Sequence, residues 1–400
     1  MALKTFIKDW FRDFREIATH EFRQIFSDKG VMLIFFVAGL FYPILYNIVY
    51  RNGVLEDTPI AVVDMADCAE SRRFAREVDA TRECRIAYHC MNMDEARHLM
   101  EDRKVNGIIL FPSDFGERIT LMQTATVSVY CDMSAFLYYK NALMGVNHVM
   151  LSEMGNIQVE RYSAAGYTDQ EISQLTEPIP IGENNPYNPA FAYNIFLLAA
   201  VLLVIVQQTM FYGMTLLAGT MRENNRSFAT LPDTLHGHGA YRVVGARGAA
   251  YWSIYMGIAI YVTIIVPALF GMPQRGSFWD IVLLDLFFVT DCVFFCMSWS
   301  TLIRRRESVF LLFLFISPLC IFLTGTSWPT TAFPAFWKAF SYLFPSTFGV
   351  KAYVNMNTAG GDLSSATLQF MYMTVQTIAY FTIAVIAIYV ENIVLRKRNG

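Results

Sequence analysis

The stretch FAYNIFLLAAVLLVIVQQTMFYGMTLLAG, residues 191–219, runs for 29 residues without an Asp, Glu, Lys or Arg. A helix rises 1.5 Å per residue, so about 20 apolar residues cross the ~30 Å hydrocarbon layer of a bilayer. In lipid the backbone finds hydrogen-bond partners only inside a helix or a closed barrel. Five more stretches pass the same test: 31–50, 249–270, 279–303, 309–326 and 368–394. The expected fold is therefore a membrane all-α bundle of six transmembrane helices.

Outside these stretches the composition changes. Of the 400 residues only 16% are charged, against about a quarter in a soluble domain, and the deficit is concentrated in the six stretches. A net charge of -3, with no basic run interleaved with aromatics, gives no sign of a nucleic-acid partner. No small-residue cleavage site follows the first apolar run, so that run is expected to stay as a span.

Lys and Arg set the expected direction. Lys4, Lys8, Arg12, Arg15, Arg23 and Lys29 precede the first span. Arg222, Arg226, Arg242 and Arg247 lie between the second and third, Arg304, Arg305 and Arg306 between the fourth and fifth, and Arg396, Lys397 and Arg398 after the sixth. The loop 271–278 has only Arg275, and the loop 327–366 only Lys338 and Lys351. This pattern predicts a multi-pass protein of the bacterial inner membrane. Both termini would be cytoplasmic and the segment 51–190 extracytoplasmic.

Residues 1–30 precede the first span. Phe6, Ile7, Trp10, Phe14, Ile17, Ala18, Phe22 and Ile25 recur at helical spacing, while Lys8, Asp9, Arg12, Asp13, Arg15, Glu16 and Arg23 fill the other face. The pattern predicts an amphipathic interfacial entry helix on the membrane lipid, with Trp10 among the headgroups. It reads equally as a surface anchor or as an elbow that packs on a motor subunit.

Segment 51–190 reads as an inserted α/β domain. Strands are expected at 59–64, 85–88, 105–111 and 126–130, and helices at 69–78, 93–103 and 134–163. Its four cysteines, Cys68, Cys84, Cys90 and Cys131, are candidates for disulfides in an oxidising compartment. No close Cys pair points to a metal site.

Nothing in the sequence carries a familiar catalytic chemistry. There is no Walker A loop, no GxSxG, no HExxH and no Rossmann glycine set. Asp285 and Asp291 fall inside the fourth span, where a carboxylate is costly and by default a functional suspect. The bland reading is a hydrogen bond to a neighbouring helix. Gln207 and Gln208 in the second span suit helix-to-helix glue.

The layout resembles the ABC-2 type permeases, membrane subunits of one class of ABC exporters, and in particular the subgroup with a large extracytoplasmic domain between the first two spans. Residues 60–64 (IAVVD), Asp94-Glu95-Ala96, residues 107–115 (GIILFPSDF) and residues 127–132 (VSVYCD) follow the family's run. Gly325, Trp328-Pro329, Phe333-Pro334, Trp337 and Phe344-Pro345-Ser346 resemble its external re-entrant hairpin, here 327–366. The resemblance places a coupling loop at 220–248, with Arg222, Glu223, Asn224, Arg226 and Phe228 as contacts for a separate ATP-binding subunit. Ser227-Phe228 stand where many relatives carry Gly-Thr. It implies no cofactor in this chain, ATP and Mg on the partner subunit, a second permease copy or homologue, and a periplasmic adaptor as a further candidate partner.

The function implied is outward, ATP-driven transport of an unidentified substrate, with no enzyme activity in this chain. A receptor or scaffold using the external domain, with the spans as anchors, is the alternative. An intramembrane enzyme would need a catalytic pair, and Asp285 and Asp291 lie about 120° apart on their helix.

Overall fold

The computed structural model describes residues 2–176, 187–188, 192–224 and 239–399. The chain divides into two compact units, Met1–Gly53 with Pro186–Gly400, and Val54–Asn185.

The first unit opens with helix α1, Ala2–Ser27. Asp28 then ends one helix and starts the next, its Oδ1 accepting from Gly30 N at 2.8 Å and Val31 N at 3.2 Å. Such a side chain supplies partners to N–H groups that have none inside the helix. Among the described residues, helix α2, Lys29–Val49, is the first of six helices long and apolar enough to cross a membrane.

The second unit follows. Strand β1 (Thr58–Asp64) leads to α3 (Ala69–Asp79), β2 (Cys84–Cys90), α4 (Met93–Glu101), β3 (Gly107–Phe111), α5 (Phe115–Thr120), β4 (Ser128–Cys131), α6 (Phe136–Ala164) and α7 (Asp169–Thr176). The strands form one sheet in the order β2-β1-β3-β4. β1 runs parallel to β2 and β3, and β4 is antiparallel to β3. The four strands expected from the sequence are all present. Strand β1 is buried on both faces because helices cover both, and its run Ile60-Ala61-Val62-Val63 is correspondingly apolar throughout. Val62 and Phe74 share a core with Val146 of α6 on one face, and Val63 packs with Ala96 of α4 on the other.

The remaining crossing helices belong to the first unit: α8 (Tyr193–Glu223), α9 (Ala240–Leu269), α10 (Phe278–Ser300), α11 (Arg306–Leu323) and, after two short helices α12 (Ala335–Ser341) and α13 (Pro345–Tyr353), the last, α14 (Thr367–Asn399). All six expected spans are found, with one boundary corrected. The third helix starts at Ala240 rather than 249, so Arg242 and Arg247 lie in the helix and not in a loop. Hydropathy stopped short there because it counts charges and cannot see their partners.

Among the described residues three helices carry a π turn: α2 at Leu33–Ala38, α9 at Tyr261–Ile265, and the run continuing α13 at Val354–Thr358. Such turns are rare and concentrate where a helix does something besides span.

Candidate functional site

One end of the six-helix unit is held by two arginines. Arg222, in the last turn of α8, donates from Nε and Nη2 to the two oxygens of Glu391 on α14, at 3.1 Å each. Its Nη1 donates to the carbonyls of Ser300, at 2.6 Å, and Ile303. Ser300 is the last residue of α10 and Ile303 lies three residues beyond it, at the end of the helix where negative charge concentrates. Arg306, opening α11, contacts the Asp28 carboxylate at 3.3 Å and donates to Thr220 Oγ1 at 3.0 Å. Its backbone N–H donates to Glu223 Oε1 at 2.7 Å. Between them the two guanidinium groups join the ends of α2, α8, α10, α11 and α14. Gly219 permits the approach, since a Cβ there would lie 3.0 Å from Arg306 N.

The expected coupling residues divide at this junction. Arg222 points into the bundle and is engaged there. Glu223 and Asn224 are exposed at its rim. Arg226 and Phe228 lie outside the described residues.

Helix α1 packs along α9 through buried charge. Asp13, Ile17, Glu21 and Ile25 recur every fourth residue and are all buried. Glu21 Oε2 lies 3.2 Å from Arg247 Nε, and Tyr251 donates to Glu21 Oε1 at 2.8 Å. Asp13 lies 3.5 Å from Arg242. This corrects the sequence reading, which set Asp13 on the solvated face. The pairing explains the inversion, because a buried carboxylate is tolerated where a cation meets it. Phe11 and Phe26 are left exposed.

Within the spans, the glutamines and acids take different roles. Gln207 accepts from Ser346 N at 2.7 Å and donates to Cys320 Sγ at 3.6 Å, so it caps the first turn of α13 from a different helix. Gln208 is buried beside it. Asp285 Oδ2 meets Thr263 Oγ1 at 2.7 Å. Tyr353 of α13 donates to the Thr263 carbonyl at 2.9 Å and accepts from Asn357 at 2.8 Å. Thr263 and Asn357 each sit in a π turn, so two irregular backbones meet at this polar chain. Asp291 is fully buried, and neither oxygen has a hydrogen-bond partner among the described residues.

The hairpin residues are split by depth. Trp328 and Trp337 are exposed, and Pro334 precedes α12. Pro345 opens α13, which is buried along nearly its whole length. Proline suits that first position because its missing N–H would have no helical partner there. Helix α13 is thus part of the bundle interior.

In the α/β unit all four cysteines carry free thiols. The pairing of β1 with β2 slips by one residue between Ile86 and Tyr88. That bulge turns Cys90 to the face opposite Cys84, with the sheet between them, while Cys68 and Cys131 share the Cys84 face. Burial pushes the Cys84 thiol up to about 12. Arg73 joins α3 to α6 through Glu153 at 2.6 Å. Burial first, and then the neighbouring Glu153 carboxylate, hold the Glu77 carboxyl above its usual range.

Sequence reasoning missed Glu21, Asp28, Glu391, Thr263 and Tyr353. Asp28 was legible as a cap ahead of an apolar run, and Glu21 by its four-residue spacing from Ile17 and Ile25. The others carry no local signal, because their partners lie far away in sequence.

Comparison with curated proteins gives no match. The model of the ABC-2 family transporter proteins matches residues 29–386, from the start of α2 into α14. Since the match covers nearly the whole chain, this multi-pass membrane protein belongs to the ABC-2 transporter family, as one of its permeases.

Proposed function

We propose that the chain is the membrane-spanning subunit of an ATP-driven exporter. It lies in a bacterial inner membrane, with its termini and the segment 220–248 cytoplasmic and the α/β unit extracytoplasmic. It works with a separate ATP-binding subunit, which holds ATP and Mg, and with a second permease copy or homologue. Substrate moves outward, and the α/β unit receives it or docks a periplasmic adaptor.

The observation that supports this reading is the two-arginine junction. The cytoplasmic loop between α8 and α9 begins at a point where five helix ends are already tied. A push on the exposed Glu223 and Asn224 is passed at once to α11 through the Arg306 backbone and to α14 and α10 through Arg222. The ion pairs between α1 and α9 make the entry helix move with the third span. Discrete rearrangement of such packed, hydrogen-bonded elements is how a local push becomes a large motion.

Affinity purification of the tagged protein, with mass spectrometry and an ATPase assay, tests it. A stoichiometric ATP-binding subunit is expected. It should be lost from a Glu223→Arg, Arg226→Glu double variant that keeps the wild-type melting temperature. A clean preparation without nucleotide-binding partner or ATPase activity overturns the proposal.

A further inference from the structure

We infer that the α/β unit carries a binding site for a small organic anion with a short apolar chain, in the cleft between α3 and the edge strand β2. The cleft measures about 270 Å³. A water takes roughly 30 Å³ of liquid, so a ligand on the order of ten heavy atoms fits.

The cleft has an apolar floor and a rim that carries two arginines and a histidine. Val62, Ala75 and Ile86 form the floor, and Arg72, Arg76 and His89 stand around it. Two acids, Asp64 and Asp79, also line it; Asp64 is bonded through both oxygens and Asp79 through one. Asp64 accepts from Ala66 N, Asp67 N and Ser71 Oγ at 3.0, 3.0 and 2.6 Å. Asp79 accepts from Ile86 N at 2.7 Å. Arg72 is held at the rim by Asp67 at 2.6 Å. Arg76 and His89 make no ion pair or hydrogen bond among the described residues. Glu77 feels the charges of both Arg73 and Arg76, but forms no ion pair with Arg76. The donor groups left to meet a ligand are a guanidinium, which matches carboxylate and phosphate with paired N–H donors, and an imidazole.

The β-bulge aims the imidazole. In a regular strand, residues 86 and 89 would face opposite sides of the sheet. The slip between Ile86 and Tyr88 pairs Ile60 with Ile86 and Val62 with His89, so both side chains share the face that carries α3. Bulges re-aim side chains in this way next to binding sites. An apolar floor with a few convergent polar groups is the usual make-up of a small-molecule pocket.

Hydrogen exchange on the full chain in lipid nanodiscs tests the inference, with hexanoate, hexyl phosphate and hexanol as probes. Hexanoate or hexyl phosphate at millimolar concentration should slow exchange at least threefold in residues 69–79 and 84–90, and the stronger of the two identifies the anion. Hexanol should not. Arg76→Glu and His89→Glu, both exposed and on different elements, should each weaken the effect tenfold or more while leaving exchange without ligand unchanged. Absence of protection by either anion, equal protection by hexanol, or full protection in both variants overturns it.

Discussion

Gln207 Oε1 and Ser346 N are 2.7 Å apart, a hydrogen bond across 139 residues of sequence. A side chain of the second span thereby finishes the first turn of a helix that belongs to the hairpin between the fifth and sixth. The position of α13 in the bundle depends on a partner outside its own segment.

Gln207→Leu removes that acceptor and leaves the Ser346 N–H buried without a partner. The expected cost is about 1–3 kcal/mol, read as a lower melting temperature in nanodiscs. Gln207→Glu retains an acceptor and should lie closer to wild type. Equal melting of the leucine variant and wild type would show that the cap does not hold α13.

Gly349 packs its helix onto Phe288, and a methyl group there would overlap the ring. Gly349→Ala should destabilise by about 1–3 kcal/mol through overpacking. Adding Phe288→Leu should restore most of the loss, and a double-mutant cycle checks it.

Breaking the Glu21–Arg247 pair strands a buried charge. Glu21→Met or Arg247→Met alone should cost about 3–5 kcal/mol, whereas the double Met variant should recover most of this. If the double variant is as damaged as the worse single one, α1 is not attached to α9 mainly through this pair.

The Glu77 carboxyl is held above its usual range, so the folded unit binds its proton more tightly than the unfolded chain. Its contribution to stability is complete below the unfolded value near 4.5 and is lost as pH rises through the raised folded value. Glu77→Gln should therefore slow exchange in the α/β unit at pH 7 relative to wild type, with the difference vanishing at pH 4.

Cys84 should resist iodoacetamide at pH 8 in the folded protein, because burial both hides it and pushes its thiol up to about 12. It should react in urea without reductant. Failure to react there would reveal a disulfide.

Much of this architecture could be read from residue order. Stretches such as 191–219 declare themselves by length and absence of charge, and Ile60-Ala61-Val62-Val63 by its unbroken apolar run. What could not be read depends on distant partners. Arg247 reads as a loop residue because nothing near it in sequence shows that Glu21 pairs with it. Arg222 was legible as a charge at the end of a span, but its partner Glu391 lies 169 residues away. The depth of α13 was missed for the same reason, since Gln207 and Phe288 belong to other helices. The bulge in β2 left no mark in the pattern of Cys84–Cys90, and it decides which side chains share a face.

The π turns at Leu33–Ala38, Tyr261–Ile265 and Val354–Thr358 act as phase shifts within otherwise continuous helices. An extra residue per turn advances everything beyond it by about 100° relative to an unbroken α-helix. Residues on either side of Thr263 therefore belong to two separate angular frames, and a helical wheel drawn through all of α9 assigns the last turn, Val266–Leu269, to the wrong neighbours. The length of these segments is consequently as tightly specified as their composition: deleting one residue from the turn in α2 would keep a span long enough for the bilayer while rotating Gly39–Val49 away from its partners.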